Sequence, residues 1–286
     1  MARGERLTAG QLAARVLIWA VLLVSAALVL TPLLFMFTAS AMPAVDIVTM
    51  PYRWIPRGFH WQNFWQAIKG NDGSFMFARN LVNSVIVALA VTVATVLLAG
   101  IAGYGLAKFP FRGKNAVFLL IMSTVMIPFE AVMIPLYLVS TRLGLQNSYA
   151  GLIVPFMVSA FGIFLMRQFL ITFPDEFLDA TRIDGAGELG IFTRIVLPNM
   201  TPAVATLAVL TFRAEWDSML WPLLIAQSER MKTVPLYIVR FASEKYTDEG
   251  AMMAVAVLAS LPMIILFLSL ARYFVGGAAL YVSRKG

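Results

Sequence analysis

Long stretches without a single charge set the limits on what this chain can become. Val16 to Val45, Asn80 to Ala107, Leu143 to Met166 and Gly250 to Ala271 carry none. Asn115 to Thr141 carries only Glu130, and Ile195 to Gln227 carries Arg213, Glu215 and Asp217. Each run supplies the ~20 apolar residues that cross a ~30 Å hydrocarbon core as a helix. In that core every backbone N–H and C=O must find a partner within the protein, which leaves helices or closed barrels. The runs are continuous rather than alternating, so helices are expected.

Composition agrees. Of 286 residues, 60% are hydrophobic and 13% charged, against ~25% charged in a soluble domain. Mean hydropathy is +0.82. The expected fold is an all-α integral membrane protein with six transmembrane helices. Residues 1–15 form an N-terminal segment, 16–41 the first span, and 42–78 an outer loop. The other five spans occupy 79–276, and 277–286 form a tail. Arg3, Arg6 and Arg15 with Ala39-Ser40-Ala41 have the flavour of a cleavable leader. The apolar stretch far exceeds the ~7–15 residues of such leaders, so it reads as a retained first helix.

Charge sets the expected orientation. Lys108, Arg112 and Lys114 lie between spans two and three, Arg142 alone between three and four, and Arg284 and Lys285 in the tail. Lys and Arg concentrate on cytoplasmic loops, which places both termini in the cytoplasm. Trp54, Trp61 and Trp65 in the outer loop suit the lipid headgroup belt. The formal charge is +7. Facing anionic lipid explains that excess, and no basic stripe with interleaved aromatics points to nucleic acid as a partner. There is no cysteine, and His60 is the single histidine. Thiol catalysis, Cys/His metal sites and histidine triads are thereby removed, and an enzyme reading lacks its nucleophile and base.

One connection has its own design. After Pro174, Asp175 and Glu176 place negative charge where a helix would start, and Phe177, Leu178 and Ile183 give it an apolar set. Gly185, Ala186 and Gly187 then break it, and a second helical stretch leads to Leu197-Pro198. A helix of this size is marginal alone in water. Two explanations stand at this point: it docks on a partner protein, or it rests on lipid headgroups.

The residues from Asp179 through Ala186, Asp179-Ala180-Thr181-Arg182-Ile183-Asp184-Gly185-Ala186, followed by Ile195-Val196-Leu197-Pro198, resemble the EAA loop of ABC importer permease subunits. Leu81-Val82-Asn83-Ser84, Tyr104-Gly105-Leu106-Ala107, Ile134-Pro135-Leu136-Tyr137 and Leu220-Trp221-Pro222-Leu223 are similar to the sugar branch of that family. The resemblance implies a membrane subunit of an ATP-driven importer for a carbohydrate, polyol or glycerol-phosphate solute, in a bacterial or archaeal plasma membrane. Asp179, Ala180, Thr181, Ile183, Asp184, Gly185, Ala186 and Gly187 would form a cytoplasmic coupling helix between spans four and five. A second, homologous permease subunit, two ATPase subunits and an extracytoplasmic solute-binding protein would be its partners, beside membrane lipid. Thr181 departs from the family alanine, and Val275 to Tyr281 depart from the usual tail. The chain has no Walker A loop, since Gly113-Lys114 is followed by Asn115. It is not expected to be an enzyme or to hold a cofactor, and ATP and Mg would belong to the ATPase.

Charges at bilayer depth cost ~2.5–3.5 kcal/mol or more each and point to function. Glu130, Arg213, Glu215 and Asp217 are the candidates. Arg213 and Asp217 sit four apart on one helical face and could simply pair. Alternatively the carboxylates accept hydroxyl hydrogen bonds while Trp216 and Trp221 offer flat faces to a sugar ring. Pro222 and the polar cluster predict an interrupted fifth span, the one strong interruption in the chain. Glu130 either faces substrate or pairs with Arg213. An ion-coupled carrier working without an ATPase is the alternative reading, although carriers of that kind usually show paired interrupted helices in two repeats.

Overall fold

The structure, a computed structural model, describes residues 8–70, 73–243 and 248–283, with side chains at all of these except 242–243 and 272–283. Arg3, Arg6, Arg284 and Lys285 lie outside the described residues, as do the side chains of Val275 to Tyr281. Helices are the only regular elements among the described residues, as expected.

Among the described residues, three helices are long and apolar enough to cross a membrane: Ala9–Ala39, Met76–Lys108 and Glu249–Ala271, the last continuing as helix to Ser283. Three further apolar runs are bent pairs rather than single rods. Lys114–Thr124 and Phe129–Arg142 meet at 94°, Tyr149–Phe156 and Ala160–Ile171 at 45°, and Glu188–Asn199 and Thr201–Trp216 at 82°. This corrects the expectation of one interrupted span. Each bend has a proline at or beside it. Pro128 caps the helix that begins at Phe129, and a residue before proline is pushed out of the α region. Pro155 lies in the 3₁₀ turn Val154–Phe156, after which Ser159 caps the next helix by accepting the Gly162 N–H at 3.0 Å. Pro198 and Pro202 flank the third bend, just after the π-helical turn Phe192–Val196. A second break in the fifth run lies at 217–219. Pro222 sits in the helix that follows, Leu220–Ile225, and its missing N–H and its ring deny Ser218 O a helical bond, so the interruption expected from Pro222 and the polar cluster is present.

Two compact units divide the chain: Met1–Asn71 with Phe241–Leu258, and Asp72–Arg240 with Ala259–Gly286. In the first, Thr8 and Gln11 form a capping box at the start of the Ala9–Ala39 helix. Most of that helix exposes its apolar side chains, and only Ala39 is buried. Just beyond it, Ala39, Met42 and Ile47 pack with Phe35 and Met253. The buried Asn63 carboxamide donates to Ser40 O at 2.9 Å and Met42 O at 2.6 Å, satisfying carbonyls released where the helix ends. A Cβ at Gly250 would lie 2.6 Å from Asn63 Nδ2, so a side chain there would have to displace the carboxamide.

The second unit is organised around Met76–Lys108, which packs against Ala160–Ile171 and Thr201–Trp216. The contact is a seam of small residues. A Cβ at Gly103 would fall 2.9 Å from Met166 Cβ, and one at Gly162 3.1 Å from Ala99 Cβ. Close backbone approach through small residues is how helices gain van der Waals contact where lipid removes the hydrophobic incentive. The same helix tends freed carbonyls. Thr95 Oγ1 donates to Phe156 O and Met157 O, both 3.3 Å away, at the 45° bend. Asn83 Nδ2 donates to Arg230 O and Lys232 O, both at 2.8 Å, and its oxygen accepts from Tyr149 Oη at 2.6 Å.

Candidate functional site

The connection singled out in the sequence is a helix over Asp175–Ile183, with Pro174 as N-cap and both acids in the first turn. It ends in a Schellman motif. Gly185 adopts φ +83°, its N–H donates to Arg182 O at 3.0 Å, and the Ala186 N–H donates to Thr181 O at 3.2 Å. A side chain at Gly185 would be strained by that backbone, whereas Gly187, at φ −73°, is not. A Cβ at either glycine meets nothing within 4 Å. The Thr181 hydroxyl donates to Phe177 O at 2.7 Å, so the departure from alanine is absorbed within the helix.

One side of this helix is core and the other is bare. Leu178 is buried with Tyr104, Met166, Leu170, Ile191 and Phe192. Phe177 is 62% exposed, Ile183 86% and, just beyond the glycines, Leu189 70%. Three large apolar side chains thus crowd a short surface segment. Ala180, Asp184 and Asp179 are exposed beside them.

Two side chains of the long helix, Tyr104 and Lys108, fasten the loop to it through Glu188 and Asp175. Arg182 Nε donates to Glu188 Oε1 at 2.8 Å and its Nη1 to Asp179 Oδ1 at 2.9 Å. The hydrogen bond that Arg182 donates to Glu188 is the main reason its guanidinium is pushed above its ordinary range. Tyr104 Oη donates to Glu188 Oε2 at 2.7 Å. One turn further along, Lys108 Nζ donates to Asp175 Oδ1 at 2.6 Å and also to Phe173 O. Sequence reasoning passed over these partners. The available signal was the four-residue spacing of Tyr104 and Lys108, which puts both on one helical face.

The candidates of the fifth run, Trp216 included, fall on three faces of one helix, as 100° per residue requires. Phe212 and Trp216 form the core face: their rings stack at 5.5 Å and 13°, packed with Ala88. Arg213 and Asp217 form an exposed face and pair at 3.4 Å. Thr211 and Glu215 form the third face. With Thr95, Ser159, Phe156 and Phe161 they line a cavity of about 260 Å³ beside the 45° bend. Glu215 is half-buried and makes no ion pair among the described residues.

Both tryptophans are placed differently from the sequence expectation. Trp216 is buried in the stack just described. Trp221 is 1% exposed, its indole N–H donates to Gly151 O at 2.9 Å, and Phe129 and Phe156 meet it edge-on. Neither ring offers a free face, because each has the apolar area to anchor a helix junction and is used for that. Glu130 is exposed in the first turn of Phe129–Arg142, where the helix dipole favours a carboxylate. No ion pair joins it to Arg213 among the described residues.

Comparison with known proteins places this geometry in context. The family model described as "Binding-protein-dependent transport system inner membrane component" matches residues 96–278. An arabinooligosaccharides transport system permease protein, AraQ of Bacillus subtilis, is 37% identical over 207 residues, 72% of this chain and 73% of its own length. An sn-glycerol-3-phosphate transport system permease protein, UgpE of Yersinia pestis, is 37% identical over 261 residues, 90% of this chain and 92% of its own. Among solved structures, a bacterial ABC transporter involved in import of the acidic polysaccharide alginate superposes with a TM-score of 0.81. It covers 94% of this chain and 99% of that one at 21% identity, a likeness of fold.

Proposed function

Because the chain belongs to the family of inner membrane components of binding-protein-dependent transport systems, we propose that it is the permease subunit of an ATP-driven importer for a carbohydrate or a related polyol or glycerol-phosphate solute. In this reading the three unbroken helices and three bent pairs make six spans, with both termini in the cytoplasm of a bacterial or archaeal cell. A second, homologous permease subunit completes the pathway, a solute-binding protein delivers from outside, and two ATPase subunits bind ATP and Mg below.

The observation that carries the proposal is the Asp175–Ile183 helix with its bare apolar side and glycine exit. Resting on lipid alone would leave no reason for a capped, braced helix whose Gly187 carries no strain and no neighbour. An ATPase cleft is the receptor proposed for Phe177, Ile183 and the 184–187 turn. Closure of the ATPase pair on ATP draws the two coupling helices together and turns the cavity outward. Hydrolysis releases them. The solute drives nothing; it shifts only the equilibrium between states that bind it differently.

Along the pathway, the cavity with Thr95, Ser159, Thr211 and Glu215 is the proposed contact for solute hydroxyls. Glu130 and the exposed Arg213–Asp217 pair are assigned to the pathway or to the second permease, since lipid is a poor surface for them. Trp216 and Trp221 are assigned to the scaffold that holds this wall. The three bent spans would also suit an ion-coupled carrier. Such a carrier has no use for the bare loop.

The test is uptake into proteoliposomes of labelled arabinooligosaccharide, lactose and sn-glycerol 3-phosphate. The complete complex should take up one of them with ATP inside and its binding protein outside. Equal uptake by this chain alone, without nucleotide, would favour the carrier.

A further inference from the structure

Tyr104 and Lys108 are one turn apart near the end of the Met76–Lys108 helix. Tyr104 is 5% exposed, and so is the Lys108 side chain. Both have their polar atoms committed to the 175–188 loop, and they hold its opposite ends. Lys108 takes the N-terminal end of the short helix, through Asp175 at 2.6 Å and the Phe173 carbonyl. Tyr104 takes the C-terminal end indirectly, through Glu188 at 2.7 Å, which in turn holds Arg182 at 2.8 Å. Between the two points Leu178 is sunk in the core against Tyr104 and its neighbours.

We propose that Tyr104, Glu188 and Lys108 form a two-point brace that makes the Asp175–Ile183 helix move as one body with the Met76–Lys108 span. The physical argument concerns the glycines. Gly185 and Gly187 interrupt the chain on the only covalent route from the C-terminal end of the short helix toward the fifth span, and glycines are the softest links a backbone offers. The opposite end is joined to the Ala160–Ile171 helix by a short turn. A helix attached at one end pivots, and a push on it is spent bending the hinge. Attached at both ends to one rigid rod, it can neither pivot nor roll. Glu188 lies past the glycines yet reaches back across them to Arg182, so the ion pair bypasses the hinge. Tyr104 fixes that bypass to the span. The long helix also tends the 45° bend through Thr95, which lines the cavity holding Glu215. Force entering at the loop therefore arrives at the cavity wall along a single helix.

These are positioning residues, and the inference rests on the proposed coupling to an ATPase. The experiment uses the complete reconstituted complex and reads ATP hydrolysis with and without the solute-binding protein outside, since that stimulation must cross the membrane through the spans. Tyr104→Phe and Glu188→Gln should each reduce the stimulation about fivefold, the size of one net hydrogen bond. Combined, they should do no worse than either alone, because they cut the same link. Lys108→Met should reduce it separately, abolish it together with Tyr104→Phe, and be rescued by Lys108→Arg. Co-eluting ATPase and thermal unfolding should match the wild type in every single variant. Wild-type stimulation in Tyr104→Phe plus Lys108→Met would overturn the brace. So would loss of ATPase binding in the isosteric Glu188→Gln, which would make the network a shape-holder for docking. A wild-type complex with no ATPase attached would instead overturn the coupling reading beneath it.

Discussion

Glu215 is the residue on which the proposed solute contact turns. A carboxylate with no ion pair among the described residues, sharing a cavity of about 260 Å³ with three hydroxyl side chains, is proposed as an acceptor for solute hydroxyls. Glu215→Gln keeps the shape and weakens the acceptor. A charged hydrogen bond is worth ~1.5–3 kcal/mol, so the transport KM should rise about tenfold or more with assembly unchanged. Uptake kinetics at saturating and limiting solute check this. Trp221→Phe makes a different prediction. It leaves Gly151 O buried and unpaired, costing ~1–3 kcal/mol, and should lower the thermal unfolding temperature in detergent while sparing KM. At this scale the sequence was only partly legible. Charge spacing offered an Arg213–Asp217 pair as one of two readings, and the two side chains stand 3.4 Å apart. It could not tell which aromatic rings would be consumed by packing, because that depends on Ala88, Gly151 and Phe156, far away along the chain.

At the scale of elements, local signals were legible and bends were not. Pro174, two acids and a glycine exit define a helix over Asp175–Ile183, and the structure has it with those bounds. Apolar runs announced the spans. Three bends stayed hidden because hydropathy sums side chains and ignores whether the backbone can continue past Pro128, Pro155 or Pro198. Packing between elements yields a test at Gly103. Its Cβ position is 2.9 Å from the Arg167 backbone nitrogen, which cannot move aside as a flexible side chain would. Gly103→Val should part the helices at this seam and cost ~1–3 kcal/mol as overpacking does, read as a lower melting temperature and weaker expression. The milder Gly105→Ala, at a position with open space, should be neutral.

At the scale of the whole molecule, the proposed function makes the chain a gate driven by its partners. In that reading its spans, its solute wall and its bare loop form one mechanical path, and the power enters at the loop. Gly187 offers the cleanest probe of that entry. Its backbone suits any L-residue and its Cβ position is open, so Gly187→Trp adds bulk that only an outside partner would feel. The decisive measurement is gentle-detergent purification of the tagged chain from its own membranes, wild type beside Gly187→Trp, with ATP hydrolysis assayed on the eluate. The account predicts a stoichiometric ATPase on the wild type and its loss from Gly187→Trp, with both chains equally folded. A wild-type chain that elutes without any ATPase, or a Gly187→Trp chain that keeps a fully coupled one, would contradict it.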